Sequence, residues 1–152
     1  MKLAFYKSSK GTKIDKIIDI GTGMYGYSHI ELVFSDGMSL SSSPREGEVR
    51  FKEISYDPNT WEYVDIDITE EQERLLRYKS SDLVGKKYDY FGILFWYIIP
   101  IKKQKNDKWW CSEICAYLLG WDEFRVTPNK MARHYGLERQ PFVIKASYSK
   151  DI

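Results

Sequence analysis

Metal-ligating and redox-active side chains are scarce in this chain, which has two cysteines and two histidines among 152 residues. His29 and His134 stand alone and no second Cys/His pair occurs at ligand spacing, so no zinc or other metal is expected. Cys111 and Cys115 lie four apart on what reads as one helix, where side-chain directions disfavour a mutual disulfide. Both are expected as free thiols in a reducing compartment. Neither sign of charge is in excess, since 23 Lys and Arg against 22 Asp and Glu leave +1. No global field would draw such a chain to nucleic acid or an anionic membrane. The longest apolar run, Phe91 to Ile101, falls well short of the roughly 20 residues that span a bilayer. It reads as a buried helix, with an interfacial patch as the alternative, and no integral membrane segment is expected. The glycines of Gly21 to Gly26 follow a helix and enter a strand, the reverse of a phosphate-cradling loop, so no nucleotide cofactor is expected. Met1 to Lys7 lacks the apolar run and cleavage site of a signal peptide, which points to a cytoplasmic protein or a phage product.

What is abundant is aromatic: 16% of the chain, with twelve tyrosines and five tryptophans. Such rings serve either an aromatic-rich core or contact with a ligand. The length and a hydrophobic content of 43% fit a single domain over 1–152. Residues 2–6 alternate as a strand, and Ile14 to Ile20 carries a helical spacing. Tyr27 to Phe34 reads as a strand with Ile30, Leu32 and Phe34 on one face and His29, Glu31 and Val33 on the other. The Asp36-Gly37 pair signals a hairpin into a strand at Met38–Ser43. Glu48 to Ile54 continues an antiparallel meander, and Trp61 to Ile68 alternates as a further strand. Thr69 and Gln72 open a helix through a capping box, Thr127-Pro128 open another, and a last strand is expected at Pro141 to Ala146. The 102–108 lysine-rich segment reads as an exposed loop, with weak attachment to a membrane or cell wall as a lesser alternative.

Two segments carry chemistry. Trp109-Trp110-Cys111-Ser112-Glu113 delivers a thiol to the first turn of a helix, where unpaired N–H groups and the positive dipole end favour an anion. Ser28-His29-Ile30-Glu31 offers a base and, on the same face, a carboxylate able to fix its tautomer. Glu113 suits a helix-capping role, and Cys115 reads as core. Arg45 and Arg50 flank a turn beside the serine run, suited either to a substrate carboxylate or to a solvated hairpin end.

The ordered set Ser28-His29-Ile30-Glu31, Ser41 to Arg50, Gly85 with Tyr88-Asp89-Tyr90, Trp110-Cys111-Ser112-Glu113 and Thr127-Pro128-Asn129 resembles the circularly permuted branch of the NlpC superfamily of papain-like cysteine hydrolases. The lecithin retinol acyltransferase-like and YiiX-like proteins are among its members. The resemblance implies an α+β permuted papain-like fold, an antiparallel meander or barrel-like sheet packed against helices that include the nucleophile helix. It implies Cys111 as nucleophile and His29 as general base. The third residue of the acyltransferase group is a strand histidine, which this chain replaces with Ser41, Ser42 and Ser43. Glu31 is the first choice for orienting His29, and Ser42, expected opposite Glu31, is the second. Ser42, Arg45 and Trp110 are the candidate substrate contacts. The oxyanion would rest on the Cys111 N–H and a further donor that the sequence does not identify. The expected activity is cysteine-dependent hydrolysis of an amide or ester on a peptide, cell-wall or acyl substrate. The alternative is a papain-fold binding module whose thiol does not turn over. Nucleic-acid binding is the least favoured.

Overall fold

The structure, a computed structural model, describes residues 1–90, 108–123 and 126–141. Its sheet is built from β1 (Lys2–Lys7), β2 (Tyr27–Val33), β3 (Met38–Ser43), β4 (Glu48–Glu53) and β5 (Trp61–Asp65), with two-residue strands β6 (Lys87–Tyr88) and β7 (Lys108–Trp109). The order across the sheet is β5-β1-β2-β3-β4-β6-β7. Neighbours run antiparallel except β6 and β7, which are parallel. The fold is therefore mixed α+β, a largely antiparallel sheet packed against several helices.

Two features depart from the meander read in the sequence. β5 does not extend the run beyond β4 but crosses to the far edge and pairs with β1. The segments preceding Tyr88 and Trp110 also join the sheet, as the parallel pair. Neither could be read locally, because a two-residue strand has no periodicity and the partner of an edge strand is a long-range choice. The expected helix or patch at 91–101, the loop at 102–107 and the strand from 142 onward lie outside the described residues.

The helices are α1 (Lys13–Gly21), α2 (Glu70–Ser81), α3 (Cys111–Leu118) and α4 (Pro128–His134). Their starts are written locally. The Thr69 N–H donates to Gln72 Oε1 at 2.8 Å and the Gln72 N–H to Thr69 Oγ1 at 3.2 Å, satisfying two donors that a helix start leaves open. Thr127 Oγ1 accepts the Lys130 N–H at 3.1 Å, with Pro128 in the first turn, where its missing N–H costs nothing. The Asp36-Gly37 turn needs left-handed backbone, and Gly37 adopts φ 85°.

Alternation along four adjacent strands sends Leu3, Phe5, Ile30, Leu32, Leu40 and Val49 into the core, where they meet Ile114, Leu118 and Met131 of the helices. β2 lies between β1 and β3 and is also contacted by α1, α3 and α4. Among the described residues no helix is long and apolar enough to cross a membrane. Nor is any group of three or more His, Cys, Asp and Glu side chains among them placed to hold a metal ion.

A buried polar joint secures the entry to β2. The Asp19 carboxylate, 1% exposed, accepts from Ser8 Oγ at 2.8 Å, the Gly26 N–H at 2.7 Å and Asn129 Nδ2 at 2.8 Å. Asn129 Oδ1 in turn accepts the Tyr27 N–H at 3.0 Å. One side chain from α4 thus joins the end of α1 to the first residue of the histidine strand. Asn129→Ala removes a donor from a buried carboxylate and an acceptor from a buried N–H. It is expected to destabilise the fold by about 2–3 kcal/mol, seen as a lower urea midpoint at unchanged slope.

Candidate active site

The start of α3 is held from two sides before any chemistry is considered. Trp110 occupies the N-cap with extended backbone, φ −105° and ψ 169°. Its indole N–H donates to the Val126 carbonyl at 3.1 Å, which also accepts the Ser112 hydroxyl at 2.6 Å. From the sheet side, Ser42 Oγ donates to the Trp109 carbonyl at 2.6 Å. Cys111, 4% exposed, is therefore fixed at the first position of a helix whose free N–H groups favour an anion.

α3 packs on β2 and β3, and this contact carries Cys111 to His29. Desolvation alone would lower the His29 pKa, but the charge and hydrogen bond of the Cys111 side chain, followed by those of Glu31, raise it to about 10. On the ring's other side, His29 Nε2 lies 2.7 Å from Glu31 Oε1. That leaves Nδ1 as the nitrogen that can exchange a proton with the sulfur. Same-face neighbours on a strand stand some 6.5–7 Å apart at their backbones, and the two long side chains close that gap.

Glu31 is 1% exposed and is held by a fork. Arg50 Nη1 donates to Oε2 and Nη2 to Oε1, both at 2.7 Å, the bidentate geometry of guanidinium on carboxylate. Burial would raise the Glu31 pKa; the bonds and charges of Arg50 and His29 overcome it and lower it below the ordinary 4.5. Behind the arginine, Glu46 Oε2 lies 3.3 Å from Arg50 Nε as an ion pair without hydrogen-bond geometry. Lys52 holds Glu46 Oε1 at 2.7 Å. The result is one chain of alternating partners: Cys111, His29, Glu31, Arg50, Glu46, Lys52.

No family model, curated protein or solved structure matches the chain. Cys111, His29 and Glu31 come together. Ser42 does not join them, because the β2–β3 ladder pairs Leu32 with Leu40 and Val33 with Ser39. Carried one step further, that register sets Ser41, not Ser42, opposite Glu31. Ser41 Oγ bridges to the Ile30 carbonyl at 2.6 Å, and Ser42 positions the segment ahead of the thiol. Trp110 is 8% exposed with its indole N–H spent on Val126, an internal anchor and not an open substrate contact. Arg45 is exposed at the turn, where its N–H donates to Ser43 Oγ at 3.2 Å.

Arg50, suited by sequence to a substrate carboxylate or a solvated hairpin end, holds a carboxylate of the protein itself. The signal lay in the register. Ser41 pairs with Arg50 on β4, so Glu31 and Arg50 stand two strands apart, about 9.5 Å, across a serine too short to intervene. Tyr88 is a second residue the sequence did not single out as a side chain of the site. Its phenol pKa is raised by burial and then by the charge of Cys111, so it stays protonated. Cys115, one turn into α3, is fully buried, and burial followed by the Cys111 charge pushes its thiol up.

Proposed function

We propose that the protein is a thiol hydrolase of permuted papain-like design, acting on an amide or ester carbonyl through an acyl-enzyme. The observation that carries this reading is a single imidazole shared between a cysteine in the first turn of a helix and a buried carboxylate that is itself clamped by arginine. Structural histidines need one partner; this one has a proton acceptor on one side and a thiol on the other.

In the proposed reaction the proton of the Cys111 thiol passes to His29, which is cationic through neutrality. The sulfur attacks the carbonyl carbon, and the C=O pair moves to oxygen. The N–H of Cys111 is the candidate donor to that oxyanion. Collapse breaks the bond to the amine or alcohol, which leaves with the His29 proton. Neutral His29 then takes a proton from water, the hydroxide attacks the thioester, and the carboxylic acid departs as the thiolate re-forms.

Iodoacetamide at neutral pH tests the reading. Cys111 is expected to be alkylated well ahead of Cys115, located by mass spectrometry of the digested protein, and the preference is expected to be lost in His29→Ala. Slow and equal labelling of both thiols would instead indicate a binding module of the same fold.

A further inference from the structure

α1 is packed inside out. Its two carboxylates turn toward the protein: Asp15 accepts from Ser28 Oγ at 2.9 Å and from the Thr12 N–H at 2.7 Å, and Asp19 sits in the buried joint at the entry to β2. Its isoleucines turn away. Ile14, Ile17 and Ile20 follow one another at three-residue spacing and are 63%, 60% and 49% exposed, and Ile18 is the one isoleucine of the helix that is buried. A surface helix ordinarily buries its apolar stripe and shows its charges to water. Just past the helix, Met24 is 44% exposed at φ 48°, the one left-handed non-glycine residue among those described. The chain thus accepts a strained backbone at a position where an apolar side chain meets water.

The charges that α1 shows outward are of one sign. Lys13 and Lys16 belong to the helix and exposed Lys10 precedes it. At the other end, Arg133 donates to the Gly23 carbonyl at 3.1 Å and its guanidinium lies over the Tyr25 ring. Three isoleucines and a methionine, each about half to two-thirds exposed, offer far less than the roughly 800 Å² per partner of a stable protein interface. They also form a convex ridge, for which a protein partner would have to supply a matching groove. A bilayer needs no such shape. The apolar ridge enters the headgroup boundary while the lysine stems reach back to the phosphates. A chain of nearly zero net charge can still be drawn this way, because the attraction acts locally, within about 8 Å.

We propose that α1 together with Met24 is a docking ridge for an anionic phospholipid surface, lying in the plane of the interface. No group of the Cys111 site takes part, so the ridge stands or falls apart from the thiol-hydrolase reading.

Co-sedimentation of the full chain with lipid vesicles tests it. Binding is expected on phosphatidylcholine vesicles carrying about one-third phosphatidylglycerol, weakening as salt rises and nearly absent on phosphatidylcholine alone. Ile17→Ser is expected to weaken it about tenfold, through loss of one aliphatic side chain from the bilayer. Lys13→Gln is expected to weaken it about fivefold. Both side chains lie outside the core, so the thermal midpoint should be unchanged, and Ile14→Ser gives the same reading should Ile17→Ser fail to fold. Absence of binding to the anionic vesicles overturns the proposal. Binding that Ile14→Ser and Ile17→Ser leave unchanged also overturns it, by placing the contact on another surface. A dimer in sedimentation equilibrium that Ile17→Ser dissociates would assign the ridge to a second copy of the chain and overturn it too.

Discussion

Replacing His29 by alanine is expected to slow acylation of Cys111 by on the order of 10³-fold while leaving the protein folded. The size follows from what the imidazole would supply: an acceptor for the thiol proton, and a proton for the leaving group, together within the range of general acid–base catalysis. The fold should survive because the ring is not a core element. Its side chain keeps 16% of its area exposed, and the residues around it on β2 that carry the packing are Ile30 and Leu32. Single-turnover release of p-nitrophenol from p-nitrophenyl acetate, followed beside the thermal midpoint, separates the two effects. A loss of less than tenfold at unchanged stability would sink the assignment of His29 as the base. In the unsubstituted protein the rate should fall as pH rises through about 10, where His29 gives up its proton.

The second large effect concerns the clamp. Arg50→Met leaves Glu31 buried without its fork, and Glu31→Gln leaves the guanidinium with Glu46 alone. Each is expected to cost about 3–5 kcal/mol, because breaking a desolvated pair strands one charge. The double replacement Glu31→Gln with Arg50→Met is expected to cost clearly less than the sum of the two single changes, since both buried charges leave together. Arg50→Lys keeps a charge and loses the bidentate geometry, so it should fall between. Urea titration of the four proteins decides this, and simple additivity would refute the clamp. In activity, Glu31→Gln releases the imidazole tautomer and is expected to lower turnover by about 10²- to 10⁴-fold.

The pH dependence of stability follows from the same chain of partners. Glu31 titrates below its ordinary 4.5, so its contribution is present above that value and disappears as pH falls through the lowered one. His29 is raised from 6.5 to about 10. Its contribution is complete below 6.5 and disappears as pH rises through about 10. Both contributions are complete together from about pH 4.5 to 6.5. His29→Ala should flatten the alkaline side of the stability profile, and Glu31→Gln the acid side.

Much of the architecture was legible because its signals are local. The capping box at Thr69 and Gln72, the Asp36-Gly37 turn, the 14–20 helix and the alternation of Ile30 and Leu32 against His29 and Glu31 are each decided within a few residues. The same alternation put His29 and Glu31 on one face and made their contact foreseeable. Ser42 was misassigned because hairpin register depends on how the turn closes, and a shift of one residue exchanges one serine for its neighbour. Arg50 meets a carboxylate of the protein that local sequence could not point to, since Glu31 lies two strands away and 19 positions back in sequence. The aromatic excess admitted both a core and a contact surface, and the fold buries only part of it. Tyr27, Trp109 and Trp110 are buried, while Trp61 and its neighbours line the face beside His29.

By itself the sequence determined which residues are chemically able: a thiol at a helix start, an imidazole and a carboxylate two apart on a strand, and no charge excess. Those follow from residue type and from periods of two and 3.6, which the backbone imposes locally. Only the tertiary structure decided that α3 lies on β2, that Arg50 reaches over Ser41 to Glu31, and that β5 crosses to set Trp61 beside the imidazole. Contacts between distant segments depend on which faces bury the most apolar surface together, and that is a property of the whole chain.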